Sequence, residues 1–255
     1  MANVRLMCKK GSQACKCIVE NTKMLRYSGR KAGADALVNY GLAGERKDRW
    51  LRAWPSARNI PTINATVGHS KLSVIQRMEN MGILVPESRE FLLKTHKVGD
   101  YLEKPVNSAG GKGIRKARGR YRMAGKYYQK MISDRVYELR VHAFRWMPME
   151  TWKVIKRLGA KDEIAWNFHQ GGHFQSMQDQ RCRHLAESRK ISNRILSALG
   201  MSFGAVDFIV TKSGKLYFLE VNSQPGFSGL SDNAYYQAFD RLLKMPVKEV
   251  LKYAN

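Results

Sequence analysis

The chain has 255 residues, with 45 Lys and Arg against 21 Asp and Glu, for a formal net charge of +24. A hydrophobic fraction of 44%, with 10% aromatic residues, is enough for a packed core and excludes a disordered chain. No apolar run approaches the ~20 residues needed to span a bilayer, and "MANVRLMCKKG" lacks the apolar stretch of a signal peptide, so a cytoplasmic location and no membrane partner are expected.

The charge suits a polyanionic partner, and equally a generally basic surface. Cys8, Cys15, Cys17 and Cys182 form no paired CxxC pattern and have no spaced His pair nearby. They read as free thiols in a reducing compartment rather than as a zinc site.

In chain order, "VRLMC" predicts a short strand, "GSQ" a turn, and Cys15 to Arg26 a helix. The "GSQ" turn reads as a plain strand-to-helix connection ahead of a phosphate loop. "RNIPTINAT" predicts a strand and loop. His69 to Met81 places Leu72, Ile75 and Met78 at helical spacing, and "GILVP" follows as a turn and short strand. The runs "EFLLKT", "DYLEKPV", "KYYQKMI", "YELRVHAFRW" and "TWKVIKRL" are strand-like. A helix is predicted from Gln180 to Leu199, then strands over Ala205–Thr211 and Lys215–Val221, then helical pieces to the C-terminus. The expected class is α+β: a small α/β region over residues 1–65 and a sheet-rich body over 66–255.

The segment "GAVDFIVTKSGKLYFLEVN" reads as a hairpin turning at Ser213-Gly214. Paired positions then sum to 427, so Ile209 faces Phe218 and Asp207 faces Glu220. Asn222 projects from the same face as Glu220. Two carboxylates opposed on a covered hairpin repel, and burying them unpaired is costly. A divalent cation resolves the conflict, and two carboxylates with an amide oxygen suit Mg²⁺ shared with substrate phosphates. Pairing with some of the many Lys and Arg side chains is the competing explanation.

Earlier, "YLEKPVNSAGGKGI" puts Lys104 on a strand before Ser108, Ala109, Gly110, Gly111, Lys112 and Gly113. Glycines let backbone N–H groups approach phosphate oxygens, although a glycine-rich hairpin turn explains the run equally well and it is not a Walker A loop. In "VYELRVHAFRW", Glu138, Arg140 and His142 share one face, either a solvated row or a functional one.

The motif order resembles the ATP-grasp superfamily: Lys-Pro with a glycine loop, "YYQKMI", "ELRVHAF", "WNFHQGG", then "VDF" and "LEVNSQPG". It is most similar to the ribosomal-protein glutamate ligase branch and to short ATP-grasp proteins of tailed phages, over roughly residues 60 to 230. The resemblance implies an ATP-grasp fold, two α+β subdomains clasping ATP, with residues 1–65 as a pre-ATP-grasp region. It implies ATP and Mg²⁺ as cofactors, two ions with Mn²⁺ as a substitute, held by Asp207, Glu220 and Asn222. It implies that Lys71 and Lys104 contact the ATP phosphates, with Ser108, Gly110, Gly111 and Gly113 over them. Gln129, Lys130 and Met131 would line adenine, and Glu138 would hold the ribose. Arg140 and Asn167 would face the transferred phosphate and the acyl group. An arginine usual two residues before the first metal acid is Ala205 here, and Arg157 stands in as the missing positive charge.

The implied function is an ATP-dependent carboxylate–amine ligase working through an acyl phosphate. The alternatives are a phosphotransferase on the same fold and a basic nucleic-acid-binding protein with vestigial ATP binding. If the gene is phage-borne, the cytoplasm is that of the host. The substrates expected are a carboxylate and an amine.

From Lys112 to Ser133 eight basic residues occur without an acid: Lys112, Arg115, Lys116, Arg118, Arg120, Arg122, Lys126 and Lys130. An extended chain would show Arg118, Arg120 and Arg122 on one side with Tyr121 opposite. The stretch Lys112–Lys130 is expected to meet an acidic protein tail or a nucleic acid, unless it is only a solvated loop.

Overall fold

The computed structural model describes residues 1–28, 33–106, 112–159, 173–177, 183–226 and 229–254. Among them lie three sheets. The first is parallel, in the order β2-β1-β3-β4, built from β1 (Val4–Cys8), β2 (Leu25–Arg26), β3 (Ala36–Tyr40) and β4 (Thr62–Ile63). Helix α1 (Gln13–Asn21) begins where Ser12 Oγ accepts the Cys15 N–H at 3.4 Å. It stops five residues short of the predicted Arg26. Thr22 leaves helical geometry while its hydroxyl donates to the Ile18 carbonyl at 2.6 Å, and the next residues pair with β1 instead. Strand β3 and helix α2 (Gly44–Ala53) were not predicted. All five residues of β3, "ALVNY", are buried, and a strand covered on both faces shows no polar alternation to read.

Helix α3 (Lys71–Asn80) buries Leu72, Val74, Ile75 and Met78, as its spacing requires. "GILVP" after it is not a strand. Ile83 and Val85 plug into the main core, and the Leu84 carbonyl accepts the Phe218 N–H at 2.8 Å. "EFLLKT" is likewise irregular, with Leu92 buried and Phe91 and Leu93 exposed.

The second sheet is antiparallel, in the order β5-β8-β6-β7: β5 (Ser88–Arg89), β6 (Tyr101–Pro105), β7 (Arg115–Lys116) and β8 (Lys126–Lys130). The third has five antiparallel strands in the order β11-β10-β9-β12-β13. They are β9 (Arg135–Phe144), β10 (Lys153–Leu158), β11 (His173–Ser176), β12 (Phe203–Thr211) and β13 (Leu216–Asn222). One face of this sheet carries Leu139, Val141, Val154, Val206 and Phe208 into a core shared with α3 and with α4 (Arg183–Ala198). The predicted start of that helix at Gln180 lies outside the described residues.

The chain closes with α5 (Asp232–Lys244) and α6 (Val247–Leu251). Tyr235, Phe239 and Leu242 of α5 join Val4, Leu6, Val38 and Tyr40 of the parallel sheet and Phe144, Trp146 and Phe203 in one core. Asn64 anchors the junction. Its Oδ1 accepts the Ser202 N–H at 2.7 Å and its Nδ2 donates to the Phe203 carbonyl at 2.9 Å. Asn64 has φ of 57°, in the left-handed region that asparagine tolerates.

Candidate active site

The site is built on the face of the five-stranded sheet opposite the main core. Strand alternation puts Glu138, Arg140 and His142 of β9 there. Register then brings neighbours beside them: Asp207 pairs with Arg140, and Arg157 of β10 with Glu138. On the outer side, Asp207 pairs with Glu220 and Ala205 with Asn222. The predicted opposition of the two carboxylates is therefore present, but by a different route. The turn has three residues, since Thr211 N–H donates to the Lys215 carbonyl at 3.0 Å, and Phe208, Ile209 and Val210 pair with Phe218, Tyr217 and Leu216. Ile209 thus faces Tyr217, not Phe218. The register shifts between Asp207 and Phe208, where Leu219 is the extra residue of a β-bulge, and this shift restores the pairing sum of 427.

Cations from three elements neutralise the acids. Arg140 donates through Nε and Nη2 to the two Asp207 oxygens at 2.7 and 2.6 Å, a bidentate fork. Arg157 adds contacts to the same carboxylate at 3.2 and 3.4 Å, and stacks over the Phe174 ring at 5.5 Å. It also reaches Glu138 at 3.6 Å, and Arg135 donates to Glu138 at 3.0 Å. Lys71, at the start of α3, donates to Glu220 at 2.9 Å, and Asn222 Nδ2 donates to the other Glu220 oxygen at 3.1 Å.

Burial pushes the Asp207 carboxyl up, but the guanidiniums of Arg140 and Arg157 outweigh it and hold the group below the usual carboxylate range. Burial opposes ionisation of Glu220 in the same way, and the Lys71 and Lys104 charges prevail. At Glu138 the balance reverses. Its burial exceeds the pull of Arg157 and Arg135, and its pKa is raised.

Across the cleft, the second sheet turns Leu102, Lys104, Tyr127 and Gln129 to one face. Lys104 Nζ donates to Gln129 Oε1 at 2.7 Å, and Gln129 Nε2 donates to Ser88 Oγ at 3.1 Å. This chain aims the lysine. Burial, with Lys71 nearby, brings the Lys104 ammonium down to about 8 although Glu220 and Glu138 pull it up. Lys130 faces away from the cleft, because side chains alternate along β8. Its N–H donates to the Glu87 carbonyl at 2.8 Å, and the Met131 N–H to the Asp100 carbonyl at 2.8 Å.

The fold thus gathers Lys71, Lys104, Gln129, Glu138, Arg140, Arg157, Asp207, Glu220 and Asn222. Gly113 stands at the rim with φ of 77°, where a Cβ would meet the Pro105 ring at 3.0 Å. Ser108, Gly110, Gly111 and Asn167 lie outside the described residues. Arg135, Ser88 and the pair His142–Tyr235 (2.9 Å) were not read from the sequence as partners of the site. For Arg135 the signal was there, since it sits three residues before Glu138.

The donor set suits a hard cation in part. Asn222 can turn its amide oxygen to the cleft, whereas Glu220 has its two oxygens on Lys71 and Asn222, and Asp207 has both of its oxygens on arginine. Among the described residues no group of three or more His, Cys, Asp or Glu side chains gathers as a metal cluster. Charge repulsion between the two acids is met here by lysine and arginine, the competing explanation raised by the sequence.

A family model for the ATP-grasp domain matches residues 69–228, from just before Lys71 to beyond Asn222. The chain belongs to the ATP-grasp family. The tetrahydromethanopterin:alpha-L-glutamate ligase of Methanocaldococcus jannaschii is 27% identical over 218 residues, 75% of this chain and 72% of that protein. A probable alpha-L-glutamate ligase of Histophilus somni is 37% identical over 73 residues, 28% of this chain and 22% of that one. Among solved structures, the D-alanine–D-alanine ligase of Bacillus anthracis superposes with a TM-score of 0.62 at 15% identity, covering 99% of each chain. The ATP-grasp ligase PsnB complexed with a minimal precursor gives 0.60 at 15% identity, covering 93% of this chain and all of that one. These structural likenesses establish the ATP-grasp fold, and the two facing sheets are its clasp. No helix among the described residues is long and apolar enough to cross a membrane.

Proposed function

We propose that the protein is an ATP-dependent carboxylate–amine ligase, with residues 66–255 forming the catalytic unit and residues 1–65 abutting it. The observation that carries this reading is the charge of the cleft. Lys71, Lys104, Arg135, Arg140 and Arg157 stand against Glu138, Asp207 and Glu220, five positive groups to three negative. That leaves a cationic excess where two sheets face each other, the arrangement that accepts a polyphosphate and stabilises charge on a transferring phosphoryl group. The glutamate ligases among the relatives support the same class.

In this reading Lys71 and Lys104 bind the nucleotide phosphates from the two sides of the cleft. The backbone of Gln129 to Met131 borders the base, and Glu138 lies toward the ribose. Glu220 once Lys71 turns to the phosphates, Asn222 through its amide oxygen, and Asp207 once an arginine turns to substrate, would hold magnesium, which neutralises phosphate charge when bound. A substrate carboxylate attacks the γ-phosphorus, and ADP leaves with the electrons of the broken P–O bond. The amine then attacks the acyl carbon of the acyl phosphate, and inorganic phosphate departs as the amide forms. Arg140 and Arg157 are placed to balance charge on the transferred group, and no protein nucleophile is needed.

The test is ADP release with pools of carboxylates and amines added separately and together. Release that needs both supports a ligase. Release with a single acceptor and a stable phosphorylated product indicates a phosphotransferase, and no nucleotide binding at all overturns the reading.

A further inference from the structure

The outer face of the second sheet, away from the cleft, is covered by two irregular segments, residues 90–100 and 117–123. A small core of Leu92, Tyr101, Ala117 and Tyr128 holds them down. The segments are also tied to each other. Leu92 N–H donates to the Arg120 carbonyl at 3.0 Å, and the Arg120 guanidinium donates to the His96 carbonyl at 3.0 Å. The Tyr128 hydroxyl donates to the Tyr121 carbonyl at 3.0 Å, and Arg122 pairs with Glu90 at 2.6 Å. The stretch is folded over the sheet rather than extended. Arg118, Arg120 and Arg122 all stay exposed, but Arg120 is tied to the His96 carbonyl and Arg122 pairs with Glu90 at the surface.

This preset surface exposes large apolar groups: Phe91 and Leu93 at 51% each and Tyr121 at 75%. Lys94, Lys97 and Arg118 are exposed on the same two segments, and among the described residues none of the three has an ion-pair partner. Large apolar groups held together at the surface beside uncompensated cations mark a face suited to binding a partner that is both apolar and acidic.

We propose that this face docks a peptide segment carrying both acidic and large apolar side chains, belonging to a protein acceptor. Its role as substrate carrier rests on the ligase reading; the docking itself does not. Charge complementarity sets the acidic half of the partner, and Phe91, Leu93 and Tyr121 set the apolar half. A nucleic acid fits less well. Glu87 and Glu90 hold Arg89 and Arg122 in ion pairs, and the Arg120 guanidinium is held on the His96 carbonyl, so the cations left free are few and spaced rather than a continuous row for a phosphate chain. A peptide can space its acids to meet Lys94, Lys97 and Arg118 and avoid the glutamates.

The probe is a fluorescein-labelled peptide alternating Glu with Leu or Phe, titrated by anisotropy without nucleotide at low and high salt. Polyglutamate of equal charge and a single-stranded RNA oligonucleotide serve as comparators. The peptide should bind roughly tenfold tighter than either, since apolar anchors supply most interface energy. The triple variant Phe91→Ser, Leu93→Ser, Tyr121→Ser should lose about that factor at both salt concentrations. The triple variant Lys94→Ser, Lys97→Ser, Arg118→Ser should lose affinity at low salt and flatten the salt dependence. Thermal melting shows whether each variant is folded, and the basic variant decides alone if the apolar one is not. RNA binding as tight as the peptide, no peptide binding, or affinity unchanged in a folded variant overturns the proposal. Calorimetry of ATP binding on the same samples separates the two readings: peptide binding without nucleotide binding sinks the ligase and leaves the docking surface.

Discussion

Single side chains in the cleft work by charge, and their effects have definite signs. Glu220 takes Lys71 on one oxygen and Asn222 on the other. Glu220→Gln keeps the shape and removes the charge that Lys71 and Lys104 stabilise, so turnover should vanish while the protein stays folded with a lower thermal melt. Normal ADP release by this variant at saturating magnesium would take Glu220 out of the proposed metal site. Lys104 has its ammonium lowered to about 8. Phosphates would raise it again, so nucleotide affinity should be flat below that pH and fall by up to about tenfold per unit above it. Calorimetry in buffers of different ionisation enthalpy should show proton uptake on binding near pH 8 to 9, and Lys104→Met should abolish both effects. The same shift acts on folding. The unfolded chain holds this proton to higher pH than the folded one, so Lys104 costs stability at neutral pH and the cost fades as pH rises through the folded value. Lys104→Met should therefore raise the melting temperature of the nucleotide-free protein at pH 7.

Within elements, the β12–β13 hairpin shows what counting along a strand can and cannot do. Strand alternation and a Ser-Gly turn signal were enough to put Asp207 opposite Glu220 and Asn222 on the same face. The turn is one residue longer than a two-residue loop and the Leu219 bulge adds one residue to β13, and these two offsets cancel at the carboxylates. Between them, every pairing is shifted. A bulge leaves no mark in sequence because the extra residue, here a leucine in an apolar run, has ordinary strand chemistry. The turn itself depends on Gly214, whose φ is 75°. Gly214→Ala should cost about 1 kcal/mol or more, since a Cβ is penalised in the left-handed region and must also displace the Arg183 guanidinium from the Gly214 carbonyl, measurable as a lower urea midpoint with nucleotide affinity unchanged. A variant as stable as wild type would mean the turn relaxes without strain.

At the scale of the whole molecule, the parallel sheet is joined to the ATP-grasp body rather than tethered to it. α5 and aromatic residues of β9 and β12 share its core, and Asn64 bridges to Ser202 and Phe203. Gln224, in the loop after β13, donates to Ser12 Oγ at 3.2 Å, and the Tyr40 hydroxyl donates to the Pro225 carbonyl at 2.8 Å. Asn64→Ala leaves a buried N–H and a buried carbonyl unpaired, and should cost roughly 2–4 kcal/mol in chemical unfolding. A single cooperative transition at lower denaturant is the expected outcome. Two separate transitions would show that the two parts fold independently.

What the sequence determined by itself is local or periodic: the amphipathic α3 and α4, the alternation of β9, and a hairpin between β12 and β13. Each depends on residues a few positions apart, so helix and strand geometry alone carries it, whereas the resemblance to ATP-grasp chains rests on the order of motifs along the whole body, and the opposition of Asp207 to Glu220 was reached through two offsets that cancel. Tertiary structure decided how the acids are neutralised. Lys71 reaches Glu220 across 149 positions and Arg140 reaches Asp207 across 67, and only closure of the sheets chooses these cations from the 45 available. It also decided that part of the basic stretch is tied to its neighbours at the surface, and that Phe91 and Leu93, an apolar pair in a strand-like run, stand exposed beside it. Such pairings are set by long-range packing and electrostatics, which act between residues that no local pattern relates.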